Sequence, residues 1–243
     1  MLKGMVSVTF RKKSVEEIID LVKKSGLTAI EWGGDIHVPH GDVATAERVG
    51  KLTREAGIEP ISYGAYWHCT PEDVPFDDVL ASAEALGVKV IRVWAGKKNF
   101  DVATEEEREQ VYEALRYAVD ASAKKGITVS TEFHVNTLTN TLEGTQEMLK
   151  NVPGLKTYWQ RSVSTVEEEC AIIKALGKNI VGSHIGGPWK EATQYPLAEL
   201  GDQVSTYLSM LDELETPQYM MIEFVAGESG EQLLEDAKFF LNA

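Results

Sequence analysis

The chain alternates short apolar, β-branched segments with longer stretches in which apolar residues recur at helical spacing. Eight segments of the first kind are legible, over about 5–10, 28–33, 60–66, 89–95, 127–134, 156–160, 179–185 and 219–225. Between them run amphipathic stretches such as the one carrying Ile18, Ile19, Leu21 and Val22, whose spacing near the 3.6-residue period puts them on one helix face. Glycine marks where these stretches stop. Ser25-Gly26-Leu27, Ala56-Gly57-Ile58, Leu86-Gly87-Val88, Lys125-Gly126-Ile127 and Leu176-Gly177-Lys178 close helical stretches, and Pro153-Gly154-Leu155 ends a shorter one. The residue past a helix end often takes the left-handed conformation, which costs glycine nothing. Helix starts are marked at Ser14 with Glu17, Thr104 with Glu107 and Thr165 with Glu168, each fitting the capping box that satisfies orphan N–H groups.

Strand, helix, strand repeated eight times implies parallel pairing through right-handed crossovers. An open doubly wound sheet is the rival arrangement, but no glycine-rich dinucleotide fingerprint follows the first strand. The pattern therefore predicts the α/β class and a single (β/α)8 TIM barrel spanning 1–243. A length of 243 residues is close to the roughly 250 usual for that fold. With 43% hydrophobic and 26% charged residues and no linker-like tract, one core is the expectation.

Composition narrows the function classes. The first residues lack the apolar core of a signal peptide, and no apolar run approaches the roughly 18 residues of a membrane span. Two cysteines, Cys69 and Cys170, give no disulfide framework, so a cytoplasmic protein without membrane contact is expected. The net charge of −14 repels phosphate backbones and argues against a nucleic-acid partner.

In a TIM barrel the active site lies at the C-terminal ends of the strands. Three predicted strand ends carry a carboxylate in an apolar frame: Ile30-Glu31-Trp32, Thr131-Glu132-Phe133 and Ile222-Glu223-Phe224. An unpaired buried charge is costly, so each should be metal-bound, hydrogen-bonded or paired, for example to Arg92. Side chains alternate along a strand. If Glu132 and Glu223 face inward, so do Ser130, His134 and Met221, while Val129, Phe133, Ile222 and Phe224 face the helices. Gln160 ends the sixth strand and His184 the seventh, so Glu132, Gln160, His184 and Glu223 converge. Oxygen and imidazole donors in an open site suit Mn²⁺, Mg²⁺ or Co²⁺, with Zn²⁺ also compatible. Around this set stand candidates for substrate contacts: Glu31, His37, His68, Arg92, Trp94 and His134. Trp32 and Trp159 neighbour inward residues and belong under the helices, Trp94 shares the parity of Arg92, and Trp67 and Trp189 are left open by parity.

These residues make the chain resemble the xylose isomerase-like TIM barrels, the sugar phosphate isomerase/epimerase superfamily, over essentially its whole length. The stretches that carry the likeness include Glu31-Trp-Gly-Gly-Asp35-Ile-His37-Val-Pro-His40-Gly-Asp42, Glu132-Phe-His134 and Thr157-Tyr-Trp-Gln160. The resemblance implies a divalent metal held at the positions of Glu132, Gln160, His184 and Glu223. Gln160 is a departure, since a carboxylate is usual there. It implies a metal-dependent sugar isomerase or epimerase, with Glu132 and Glu223 exchanging protons on opposite faces of a ketose, aldose or related polyhydroxy carbonyl through an enediolate. Two alternatives share the sequence features: a dehydratase of a keto-cyclitol such as an inosose, and a non-catalytic sugar-binding barrel. A homodimer is a reasonable expectation for this group. The DNA-repair members need further ligands, and Trp94 and Gln160 stand where two of them would be.

Overall fold

The computed structural model describes residues 1–162, 165–214, 216 and 218–243. Its central element is a closed parallel barrel of eight strands. In chain order the strands and helices are β1 (Leu2–Val6), α1 (Val15–Ser25), β2 (Ala29–Gly33), α2 (Val43–Glu55), β3 (Glu59–Gly64), α3 (Phe76–Leu86), β4 (Val90–Val93), α4 (Glu105–Ala123), β5 (Thr128–Glu132), α5 (Leu142–Asn151), β6 (Lys156–Gln160), α6 (Val166–Leu176) and β7 (Ile180–Ile185). A two-stranded hairpin follows, β8 (Trp189–Lys190) and β9 (Thr193–Gln194), then α7 (Gln203–Asp212), β10 (Tyr219–Ile222) and α8 (Gly230–Asn242). Each barrel strand pairs with its chain neighbour, and β1 closes the ring on β10.

The helix boundaries follow from local chemistry. All three capping boxes form, with Ser14, Thr104 and Thr165 each accepting from the N–H of the glutamate three residues on and receiving its carboxylate in return. The six junction glycines all have positive φ. The first strand differs from the expected 5–10. It runs Leu2–Val6, and Ser7–Phe10 form a buried 3₁₀ turn. A contact with the neighbouring strand accompanies the turn: Ser7 Oγ accepts from Gly33 N–H at the end of β2 at 2.8 Å, where the chain leaves the barrel towards the capped start of α1.

Alternation along the strands separates two apolar layers. Val6, Val8, Ala29, Val90, Tyr158, Tyr219 and Met221 fill the barrel interior. Met5, Ile30, Trp32, Ile91, Val129, Trp159 and Ile222 face the helices, and each large apolar side chain buried there contributes roughly 1.5–3 kcal/mol. Trp32 and Trp159 lie under the helices as expected, donating to Thr53 Oγ1 and Glu169 Oε2. Trp67 is also core, against Phe76. Phe224 departs from the parity expectation: it lies beyond the end of β10, has φ +59, and is 36% exposed at the mouth.

Gly4 shows how tightly the barrel is closed. A Cβ there would meet the Ala29 carbonyl and come within 2.6 Å of Met221 Sδ, whereas one at Gly126 meets nothing within 4 Å. Gly126→Ala should therefore cost only its left-handed backbone, about 1–2 kcal/mol. Gly4→Ala should cost more, at the upper end of the roughly 1–3 kcal/mol typical of overpacking or above it. Urea unfolding of the two variants side by side checks the order, and equal midpoints would contradict the packing of β1 against β2.

Candidate active site

Glu132 ends β5, His184 lies on β7 one residue before its end, and Glu223 directly follows β10, so the closed ring brings them to one point. One ligand atom from each lies within 4.8 Å of the others. His184 Nδ1 is 2.9 Å from Glu132 Oε1 and 3.6 Å from Glu223 Oε2. Gln160 joins through its amide, with Nε2 donating to Glu223 Oε2 at 3.1 Å. Its Oε1 is buried with no hydrogen-bond partner. Four residues expected to converge from the sequence thus do so.

Beneath them lies a buried ion network. Arg92 donates from Nε to Glu31 Oε1 at 3.0 Å and from Nη1 to Glu132 Oε2 at 2.7 Å. Ser62 Oγ donates to the other Glu31 oxygen at 2.7 Å. Glu31 and Arg92 are 0% and 1% exposed. Both, expected to contact substrate, are paired with each other inside the barrel, directly against Glu132 and His184. Glu31 also faces His184 Nε2 at 3.5 Å, the position from which an outer carboxylate orients a metal-ligating imidazole.

The charges set the proton affinities. Burial tends to raise Glu132, but Arg92, then His184, outweigh it and hold the carboxyl down at about 2. Glu31 is held well below the ordinary carboxylate range against the same burial, by Arg92 and then His184. Glu223 goes the other way: burial raises it, and neighbouring carboxylates add to that effect against the pull of His184 and Arg92. Burial alone would lower His184, yet Glu223, Glu31 and Glu132 push it up to about 10. At neutral pH a protonated His184 and Arg92 face three carboxylates, and once the imidazole gives up its proton to ligate a metal the cluster holds two negative charges in excess. A divalent cation would neutralise that excess: two carboxylates and an imidazole are a suitable donor set, to which Gln160 would add its carbonyl oxygen with its amide turned over.

The rim is aromatic. Trp94 packs edge-on against His134 with ring centres 4.6 Å apart and stacks on His68 at 5.8 Å. His134 Nδ1 is 2.7 Å from Val135 O, and His68 Nδ1 lies 3.4 Å from Asp73. Trp94 Nε1 is buried without a partner. His37 sits apart from this group. It is 7% exposed, bonded through Nδ1 to Ser7 Oγ and edge-on to Trp32, so it braces the loop after β2. Two residues at the mouth, Arg11 and Tyr66, carry no motif in the sequence, and they meet Asp35 from the stretch that carries the family likeness. Arg11 is hydrogen-bonded to Asp35 and donates to Tyr66 Oη at 2.8 Å, and Tyr66 packs on Trp94 at 5.9 Å. Parity with the inward Ser62 and Gly64 is the signal that marks Tyr66.

Residues 19–159 match a family model described as the xylose isomerase-like TIM barrel. The chain belongs to this family. A 3-dehydroshikimate dehydratase from Bacillus anthracis is 25% identical over 169 residues, covering 64% of this chain and 60% of that protein. The match therefore spans less than two thirds of that relative. A crystal structure of the probable 3-DHS dehydratase AsbF, involved in petrobactin synthesis in the same organism, superposes with a TM-score of 0.83 at 18% identity, covering 100% of this chain and 99% of the other. A D-psicose 3-epimerase from Clostridium cellulolyticum H10, solved with D-tagatose, gives 0.73 at 16% identity over 100% and 97% of the two chains. At these identities the solved structures show a shared fold. Among the described residues no helix is long and apolar enough to cross a membrane.

Removing Arg92 should leave two buried carboxylates without their cation. Arg92→Met is expected to lose about 3–5 kcal/mol in urea unfolding at neutral pH. The pH dependence has a definite sign. Glu132 titrates at about 2 in the folded protein, below the ordinary 4.5, so its contribution is complete above the ordinary value and fades as pH falls towards 2. Wild type should thus lose stability through that acid window, and Arg92→Met should show a flatter acid limb. A neutral-pH cost under 1 kcal/mol would contradict the network.

Proposed function

We propose that the chain is a divalent-metal-dependent enzyme that removes a proton from the carbon beside a carbonyl in a small polyhydroxylated substrate and then expels a hydroxyl group as water. The observation that carries this reading is the inequality of the two glutamates. Glu132 has both oxygens engaged, one by Arg92 at 2.7 Å and one by His184 at 2.9 Å. Glu223 receives a hydrogen bond from Gln160 at one oxygen only. Glu223 is therefore the base through its uncommitted oxygen, while its other oxygen, Glu132, His184 and the neutral Gln160 would hold the cation. A bound divalent ion supplies charge stabilisation for the oxygen that becomes anionic when the neighbouring proton leaves.

The remaining roles follow from position. Glu31 and Arg92 orient His184 and Glu132 from below. His134 donates from Nδ1 to the Val135 carbonyl, so it gives a proton from Nε2 to the departing hydroxyl when it enters the reaction as imidazolium, and the hydroxyl leaves as water. Trp94, His68 and His134 shape the rim against which the substrate ring rests. Dehydratases among the relatives support the elimination outcome.

Isomerisation or epimerisation is the second reading. It is favoured by the placement of Glu132 and Glu223 on either side of His184 Nδ1 and by the epimerase among the structural relatives. An isomerase needs a group that returns the proton, and here Glu132 would have to leave Arg92 to do so.

Mass analysis separates the two. Incubation with keto-cyclitols, 3-dehydroshikimate and a ketohexose panel in the presence of Mn²⁺ should yield a product lighter by one water. An unchanged mass with deuterium taken up from solvent would instead select isomerisation. Glu223→Gln should lower turnover by about 10²–10⁴-fold, the usual contribution of a positioned base. Full activity in that variant would remove Glu223 from the reaction.

A further inference from the structure

A second cleft opens beside Glu223, between the β8–β9 hairpin and the loop after β10. It has a volume of about 530 Å³ and is lined by Trp189, Thr193, Gln194, Phe224, Val225 and Glu228, among others. Two of its walls are anomalous. Trp189 is 60% exposed, and Phe224 is 36% exposed at φ +59, a left-handed conformation that is unusual for a bulky residue. That backbone is held by Phe224 N–H donating to the buried Thr9 Oγ1 at 3.0 Å. It turns the ring into the mouth instead of under the helices, where strand alternation would send it. Strain of this kind persists where the surrounding structure fixes it, often at ligand sites.

An independent feature lies in the same cleft. Gln194 is 8% exposed, and its Nε2 has no hydrogen-bond partner, although an unmatched buried donor is costly. Gln194 is directly opposite Trp189 in the hairpin register, so the two side chains share one hairpin face. The base of the hairpin packs close to the strand end that carries Glu223: a Cβ on Gly186 would lie 2.5 Å from Glu223 O and 3.0 Å from Gln194 Nε2. The cleft thus combines two aromatic walls, a buried donor awaiting an acceptor, and a carboxylate, Glu228, that can accept from hydroxyls. Apolar C–H faces bordered by hydroxyls fit this set, and those are the features of a pyranose ring.

We propose that this cleft is a carbohydrate subsite, holding a sugar ring linked to the unit that reacts at Glu223. The ring stacks on Trp189 and Phe224, a hydroxyl donates to Glu228, and a shift of the hairpin on binding brings a ring oxygen to the sealed, unpartnered Gln194 Nε2. The proposal rests on the proposed function for its reacting unit, but the subsite binds its ring without any reaction. The enzyme's preferred substrate is then a glycoside or other extended sugar.

Methyl β-D-glucopyranoside, an unreactive single ring, tests this by saturation-transfer NMR and tryptophan fluorescence on the intact chain. Saturable binding is expected in wild type and equally in Glu223→Gln. Trp189→Ala should weaken it by about tenfold, the loss of one stacked aromatic wall. Gln194→Leu, which keeps the volume and removes the donor, should weaken it as well. Absent binding, or binding that Trp189→Ala leaves unchanged, overturns the subsite. So does a concentration-dependent dimer that buries Trp189, since the aromatic face would then belong to a second copy. Glycoside binding without turnover of any carbonyl substrate would keep the subsite and refute the reaction assigned to Glu223.

Discussion

The site depends on one guanidinium. Arg92, sealed inside the barrel, holds Glu31 on one side and Glu132 on the other, and His184 bridges the same two carboxylates from above. Three carboxylates could not otherwise share so small a volume: at an effective dielectric of about 20, two like charges 4 Å apart repel by roughly 4 kcal/mol. The cation makes the crowding tolerable and fixes which glutamate is engaged. It turns two chemically identical side chains into unequal ones, with Glu132 locked and Glu223 with an uncommitted oxygen.

The barrel itself was largely legible in the sequence, because its boundaries are set locally. A glycine past a helix end and a Ser or Thr with Glu three residues on act within a few residues: the three capping boxes formed and the six glycines took positive φ, with Gly177, at ψ −131, outside the left-handed helical region. The first strand was misplaced because a contact between neighbouring strands, which periodicity along one strand does not reveal, ends it early. Ser-Val-Thr-Phe at 7–10 has strand-forming composition, yet Ser7 binds the Gly33 N–H and the segment turns. Convergence of Glu132, Gln160, His184 and Glu223 was legible too, through alternation along each strand.

The pairing inside the barrel was less so. Parity shows that Glu31, Arg92 and Glu132 point inward but not which lie at the same height. That height depends on the stagger between neighbouring strands, including the irregularity between Ile30 and Glu31 in the β2–β3 pairing. Hence Glu31 and Arg92 read as rim residues although they lie below it. Phe224 escaped parity altogether, because its backbone leaves the strand conformation one residue after Glu223. Parity could have marked Tyr66, but its partner Arg11 belongs to the mouth through a contact between segments after different strands, which sequence spacing does not encode.

The account's central claim is that Glu132, His184 and Glu223 form one divalent-cation site whose geometry Arg92 maintains. Calorimetric titration of the metal-stripped protein with Mn²⁺ tests it most directly. The account predicts one saturable Mn²⁺ per chain, lost in Glu132→Gln and in His184→Ala and weakened when Gln160 is replaced by a smaller apolar residue. Absence of binding in the wild type, or binding that survives unchanged in both Glu132→Gln and His184→Ala, would contradict it.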